Sequence, residues 1–199
     1  KEYIKSQLIT LNNEINLDYE DNDLYEKPAK MSDDPTLNAA LKNLNKYISA
    51  RISYDKLNVL NGDTIHNWLT VNSDGSVSIS DDGIASFVKK VSNAYNTVGK
   101  PKTLKTSYGP TVTIAGGSYG WKVDTEKEKA AIRSLIEAGE TAKREPEYSR
   151  KAASHGENDY GNSYVEVNLT AQHMILIKNG SKVLESDFVS GNVSKNWTT

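Results

Sequence analysis

Ser118 stands at the centre of Gly116-Gly117-Ser118-Tyr119-Gly120, five residues that satisfy the G-x-S-x-G pattern of a serine nucleophile. In a hydrolase that serine sits between a strand and a helix, which hold its hydroxyl in the open above the sheet. Here the residues after it, Tyr119 to Val123, read as another strand, and Gly116-Gly117 reads as a hairpin turn, so the pattern predicts structure and no hydrolase. His66, His155 and His173 lie far apart and lack the i, i+4 spacing of a helical zinc site. Asp74-Gly75 and Asp81-Asp82-Gly83 do not meet the ligand spacing of an EF-hand loop, and a turn plus a helix cap accounts for them. The chain has no cysteine, which excludes a thiol nucleophile, a thiolate zinc site and a disulfide framework. No metal and no cofactor is expected.

Trp68, Tyr108, Tyr119 and Trp121 form a more ambiguous set. Flat rings with one face in water stack on the apolar faces of sugars, so these four are the candidate glycan contacts; rings of this kind also fill cores. Period-2 spacing sets Tyr119 and Trp121 on one side of a single strand, to be buried together or displayed together.

The elements that must position these residues read as an α+β chain, with helices on a small, mainly antiparallel sheet, followed by a run of strands. Residues 1–34 hold a weak helical pattern through Ile4, Leu8, Leu11 and Ile15 and an acidic run from Asp18 to Glu26. At "SDDPTLNAALKNLNKYI" Asp34 caps a helix with Pro35 in its first turn and Leu37, Leu41, Leu44 and Ile48 on one face, which should pack on a core. A strand, an Asn61-Gly62 turn and a short amphipathic piece follow, then a hairpin turning at Ser73-Asp74-Gly75. A second helix is predicted over about Asp82 to Val98, with Ile84, Phe87, Val88, Val91, Tyr95 and Val98 as its buried stripe. A third opens at a Thr125/Glu128 capping box, buries Ala131, Ile132, Leu135 and Ile136, and closes at Gly139.

Residues 140–163 lack a hydrophobic period and read as a connector, docked through Tyr148 and Tyr160. From Tyr164 onward Val165, Val167 and Leu169 alternate with polar residues, and Asn179-Gly180 makes a tight hairpin. Four N-x-[S/T] sites, at Asn168, Asn179, Asn192 and Asn196, are accounted for by a chain generally rich in Asn, Ser and Thr.

Composition narrows the partners. In 199 residues, 24 Lys and Arg against 26 Asp and Glu give a net charge of −2, with no basic stripe and no interleaving of basic and aromatic residues, so nucleic acid is not expected. No apolar run approaches the ~20 residues that cross a bilayer.

Two stretches carry a family resemblance. "SYGPTVTIAGGSYGWKVDTEKEKAAI", with "LNGDTIHNWL" before it, resembles the peptidoglycan-binding domain that precedes the catalytic domain in L,D-transpeptidases of Gram-positive bacteria, over roughly Pro35 to Tyr148. "YVEVNLTAQHMILIKNGSKVLESDFVSGNVSK" resembles the first strands of the catalytic domain itself. The resemblance implies four parts: an N-terminal helix and acidic loop at 1–34, a peptidoglycan-binding α+β domain at 35–148, a connector at 149–163, and the opening strands of the transpeptidase domain at 164–199. It also implies peptidoglycan as partner and an extracytoplasmic place at the cell wall or cell surface. Any membrane anchor is left to the parent protein.

Members of that family transfer an acyl group from a tetrapeptide stem to an acceptor amine through a thioester on Cys, in a His-Gly-Cys motif, and so form 3→3 cross-links. No position of this chain matches that motif. The expectation is that nucleophile, base and oxyanion donors lie beyond Thr199, and that this portion is inactive alone. A stand-alone wall-binding or spacer module is the alternative; strands with uncovered edges favour the first reading. Those edges, at 164–189, are expected to pair with a second copy or to pack on the chain's own first domain.

Overall fold

In the computed structural model the described residues are 2–10, 32–156, 158–191 and 195. Helix α1, Glu2–Ile9, leaves Leu8 and Ile9 exposed. Leu11, Ile15, the acidic run Asp18 to Glu26, Asn192 and Asn196 lie outside the described residues.

Helix α2, Pro35–Ile48, starts as its residues predict. The Asp34 carboxylate accepts from the backbone N–H of Thr36 at 2.7 Å and of Leu37 at 3.0 Å. The face it buries differs from the leucine stripe. Ala40 is buried and Tyr47 packs on the core, whereas Leu37, Leu41 and Ile48 stay 44%, 52% and 38% exposed. The helix meets its neighbours through the flank carrying its small residue.

Strand β1, Arg51–Ser53, is followed by a short excursion in which Ile52 and Leu60 exchange backbone hydrogen bonds at 2.8 Å. Asn61-Gly62 is not a hairpin turn. It opens helix α3, Gly62–Ile65, which continues as a 3₁₀ turn over His66–Trp68. Strands β2, Leu69–Val71, and β3, Val77–Ile79, form the expected hairpin. Helix α4, Asp81–Tyr95, is capped by Ser80 and buries Ile84, Phe87, Val88, Val91 and Tyr95. It stops before Val98 because Asn96 turns extended and its side-chain carbonyl accepts from Val123 N–H at 2.7 Å, a tertiary bond invisible to periodicity.

Strands β4, Lys102–Lys105, and β5, Thr111–Ile114, form a hairpin. Strand β6, Lys122–Val123, does not pair back onto β5, so Gly116-Gly117 is a loop and not a hairpin turn; β6 pairs instead with β8, Tyr148–Arg150. Between them lie helix α5, Thr125–Ala138, and strand β7, Thr141–Lys143, which runs parallel to β1 in the register Ile52↔Ala142. Asp124, not Thr125, caps α5, accepting from Lys127 N–H at 3.1 Å. Residues 141–150, read as connector, thus supply two strands, each too short to show a period.

Strands β9, Tyr164–Asn168, β10, His173–Lys178, and β11, Ser181–Asp187, make an antiparallel sheet in the order β11-β10-β9. Its hairpin turns at Asn179 and Gly180, φ 51° and 77°, the left-handed pair that a tight turn of this hand requires. The fold is α+β. Its sheets are several small ones, of which, among the described residues, only β1–β7 is parallel. One core holds Ile52, Leu60, Ile65, Ile84, Val88, Val91, Ile132 and Ile136 together, drawn from α3, α4, α5 and the β1 region.

Candidate functional site

The four candidate aromatics divide into one buried, one part-buried against the core and two displayed. Trp68, in the 3₁₀ turn, lies 6.4 Å from the Phe87 ring and packs on the core. Trp121 is only 8% exposed: His155 stacks on it at 3.7 Å and 15°, Tyr148 lies at 4.7 Å, and its indole N–H donates to Ser154 O at 2.7 Å. Tyr108 and Tyr119 are each 45% exposed. The expectation that Tyr119 and Trp121 share a strand face therefore fails. Strand β6 starts only at Lys122, and Gly120, at φ 141°, turns the chain between the two rings. A Cβ there would lie 2.6 Å from Val98 N, so the loop's approach to the end of α4 needs glycine.

Tyr119 belongs to a polar cluster where the end of α4, the start of β4 and the segment after β8 converge. Its hydroxyl accepts from Ala153 N–H at 2.9 Å, and the Lys102 ammonium stands 5.9 Å from its ring centroid. Lys102 in turn pairs with Asp159 at 2.6 Å, an ion pair with only 18% and 7% of the side chains exposed. Thr97 donates its hydroxyl to the same carboxylate oxygen and accepts from Trp121 N–H at 2.9 Å. Buried this deeply, the pair persists because each charge has its counter-charge and further hydrogen bonds. It fastens residues 151–163 to the first region, with Tyr160 O–H donating to Thr103 O at 3.0 Å.

Tyr108 lies at the other end of the β4–β5 hairpin, over the three-stranded sheet. Beside it, Glu166, buried in the middle of β9, accepts from Ser107 N–H at 3.0 Å and Ser107 O–H at 2.8 Å. Ser107, Tyr108, His173, Ile175, Lys182 and Glu185 line a shallow groove there. His173 lies 2.6 Å from Asp187, and hydrogen bonds to Asp187 and then Glu185 raise its pKa above the ordinary 6.5. Lys182, above all, holds the Glu185 carboxyl below its ordinary range.

The serine pattern behaves as turn chemistry. Ser118 lies in an exposed loop whose carbonyl accepts from Arg150, and a strand follows it. His66 bonds to its own helix at Gly62 O, 3.0 Å away, and among the described residues no His, Asp and Glu cluster is able to hold a metal ion. The structure contains no helix, among the described residues, long and apolar enough to cross a membrane.

Three buried carboxylates tie distant segments together: Glu128, which the sequence marked only as part of a capping box, and Asp159 and Glu166, which it did not single out. Glu128 points inward from α5 with no exposure, accepting from Tyr54 O–H, from Arg144 at 3.1 Å and from Glu147 N–H at 2.7 Å. Burial and the Glu128 carboxylate push the Tyr54 phenol up. Asp159 and Glu166 do the same kind of work for the segments after β8. Each carboxylate draws donors from far along the chain, and no local spacing marks that role.

Residues 31–143 match the protein family described as "Putative peptidoglycan binding domain". Two solved structures are similar. One is titled "Structure of the Ldtfm-avibactam carbamoyl enzyme", with 27% identity over 79% of this chain and 63% of that one, at a TM-score of 0.57. The other is a Cys-to-Ser mutant of the Enterococcus faecium L,D-transpeptidase, with 27% identity over 77% of this chain and 62% of that one, at a TM-score of 0.55. The chain thus spans less than two thirds of the length of either. No curated protein matches it.

Proposed function

The chain belongs to the peptidoglycan-binding domain family that its residues 31–143 match, and from that membership we propose that it serves as the non-catalytic portion that positions an L,D-transpeptidase on peptidoglycan. The observation that carries this reading is the joint one: a family match over the first region, and similarity to two transpeptidase structures that extends across 79% and 77% of the chain. The chain has no cysteine, so the thioester chemistry implied by the resemblance would be supplied by other parts of the parent protein. The site of action is the cell wall, outside the cytoplasm.

Of the four aromatic candidates, Tyr108 and Tyr119 are exposed enough for glycan contact, while Trp121 is buried and Trp68 packs on the core. Sedimentation of the full chain with purified peptidoglycan sacculi tests the reading: retention in the pellet is expected, and the double substitution Y108A/Y119A should release part of it. A chain left wholly in the supernatant would instead identify a spacer that orients the catalytic domain.

Self-association through residues 164–189 is a second partner reading, favoured by one observation. Val165, Val167 and Leu184 remain 54%, 51% and 54% exposed on the open sheet. Light scattering across a concentration series should then show a dimer that L184K abolishes; a monomer at every concentration would count against it.

A further inference from the structure

The groove beside Tyr108 offers about 420 Å³ between the β4–β5 turn and one face of β10 and β11. Its floor is apolar, Ile175 and Ile177 being only 4% and 8% exposed. Along the β11 side stand Lys182 and Glu185, paired at 2.9 Å. Both line the groove, and with 55% and 49% of their side chains exposed both remain accessible from it.

The sheet register shows how that pair comes to face the groove. Glu185 stands opposite Ile175, so regular pairing would set Val183 opposite Ile177; a bulge after Leu176 brings Lys182 there instead. Directly opposed residues share a face, and the bulge therefore exchanges a valine for a lysine on the groove side. Bulges re-aim side chains in this way beside functional sites. The opposite wall is equally fixed. Tyr108 sits in a turn closed by Thr106 N–H to Pro110 O at 2.9 Å and Gly109 N–H to Thr106 O at 3.1 Å, and Glu166 holds that turn to the sheet through Ser107. Walls set before any ligand arrives lower the ordering cost of binding.

The neighbouring charges decide what kind of ligand fits. Lys182 offsets Glu185 and His173 lies beside Asp187, so neither a cation nor an anion finds uncompensated charge, and the described residues hold no metal-binding cluster. An ammonium next to a carboxylate sets donors beside acceptors, which adjacent hydroxyl and acetamido groups of a sugar engage together. The half-exposed Tyr108 ring and the isoleucine floor suit the C–H face of such a ring. We infer that this groove is a saccharide subsite in which Tyr108 stacks on an N-acetylated amino sugar while Lys182 and Glu185 bond its polar substituents. The inference rests on the peptidoglycan reading and assigns its glycan contact to one groove.

The test titrates the full chain with tetra-N-acetylchitotetraose by amide NMR, with sacculus sedimentation in parallel. Binding should shift the amides of Tyr108, Ile175, Lys182 and Glu185. K182A and E185A, at exposed strand positions, should each weaken it about tenfold or more, the loss expected for a hydrogen bond to a charged group. Y108A should weaken it about threefold or more and Y108W should restore it, with amide spectra away from the groove unchanged in every variant. Retention on sacculi without oligosaccharide binding, shifts confined to other surfaces, or binding that K182A, E185A and Y108A leave unchanged overturns the subsite and leaves the peptidoglycan reading standing. Oligosaccharide binding in the groove without sacculus retention upholds the subsite and removes that reading. Failure of both removes both.

Discussion

The first region, residues 32–150, and the three-stranded sheet of residues 164–187 solve the same burial problem differently. In the first, ribbons of two to four residues a strand are held by α4 and α5, whose apolar stripes close over Ile52, Leu60 and Ile65 until nothing of these is exposed beyond 1%. In the second, the strands are longer and better paired, yet only Ile175 and Ile177 among their large apolar side chains are buried. Good pairing is therefore not what makes a sheet self-sufficient; a second layer is. The sheet leans on the first region through the polar contact of Ser107 with Glu166, whereas the first region's deeply buried core charge, Glu128, is surrounded by its own donors.

This contrast can be broken or sharpened in order of expected effect. E128A strands Tyr54 and Arg144 in the interior and should cost about 3–5 kcal/mol, the penalty for removing one partner of a buried ion pair; urea denaturation measures it, and a loss under about 1 kcal/mol would show that the network is dispensable. I132A should cost about 2–5 kcal/mol in the same assay through the cavity it leaves. L184A, on the half-exposed sheet face, should cost under about 1 kcal/mol, and equal losses for the two would erase the distinction between regions.

A smaller and more local effect is expected at the contact between the regions. E166Q weakens the bonds to Ser107 by about 1–2 kcal/mol, so hydrogen exchange should quicken in β9, β10 and β11 while α4 and α5 keep their protection. A uniform loss of protection would instead make the two regions one cooperative unit.

The smallest effect concerns pH. Because Asp187, and then Glu185, raise the pKa of His173 in the fold above 6.5, the imidazolium form is favoured there. The stabilisation is fully present below about pH 6.5 and disappears as pH rises through the higher folded value. An NMR titration of His173 should show that raised midpoint, and D187N should lower it. A midpoint at or below 6.5 would show that the ion pair does not form in solution.

Much of the local structure was legible in the residues. Asp34 with Pro35, the stripe from Ile84 to Tyr95, Gly139 after α5, and the turns at Asp74-Gly75 and Asn179-Gly180 all specify their elements through neighbours a few positions away. The stretch around "GGSYGWKVD" carried the family resemblance in the same local way. Other features were decided only when distant segments met. Glu128, expected in a capping box, became the buried centre of a network because Tyr54 arrives from 74 residues away. Asp159 is buried because Lys102, 57 residues earlier, comes to neutralise it.

Strands as short as β6, β7 and β8 lack the length to display a period of two, so only their partners define them. The leucine stripe of α2 shows the same limit from the other side, since periodicity marks a face as apolar but not whether anything covers it. The sequence by itself determined α2, α4 and α5, the turns at Asp74-Gly75 and Asn179-Gly180, and the family resemblance, because each rests on short-range geometry and side-chain type. Tertiary structure alone decided which aromatics are displayed and which carboxylates are buried among distant donors, because burial and hydrogen-bond satisfaction belong to the assembled surroundings and not to the residue.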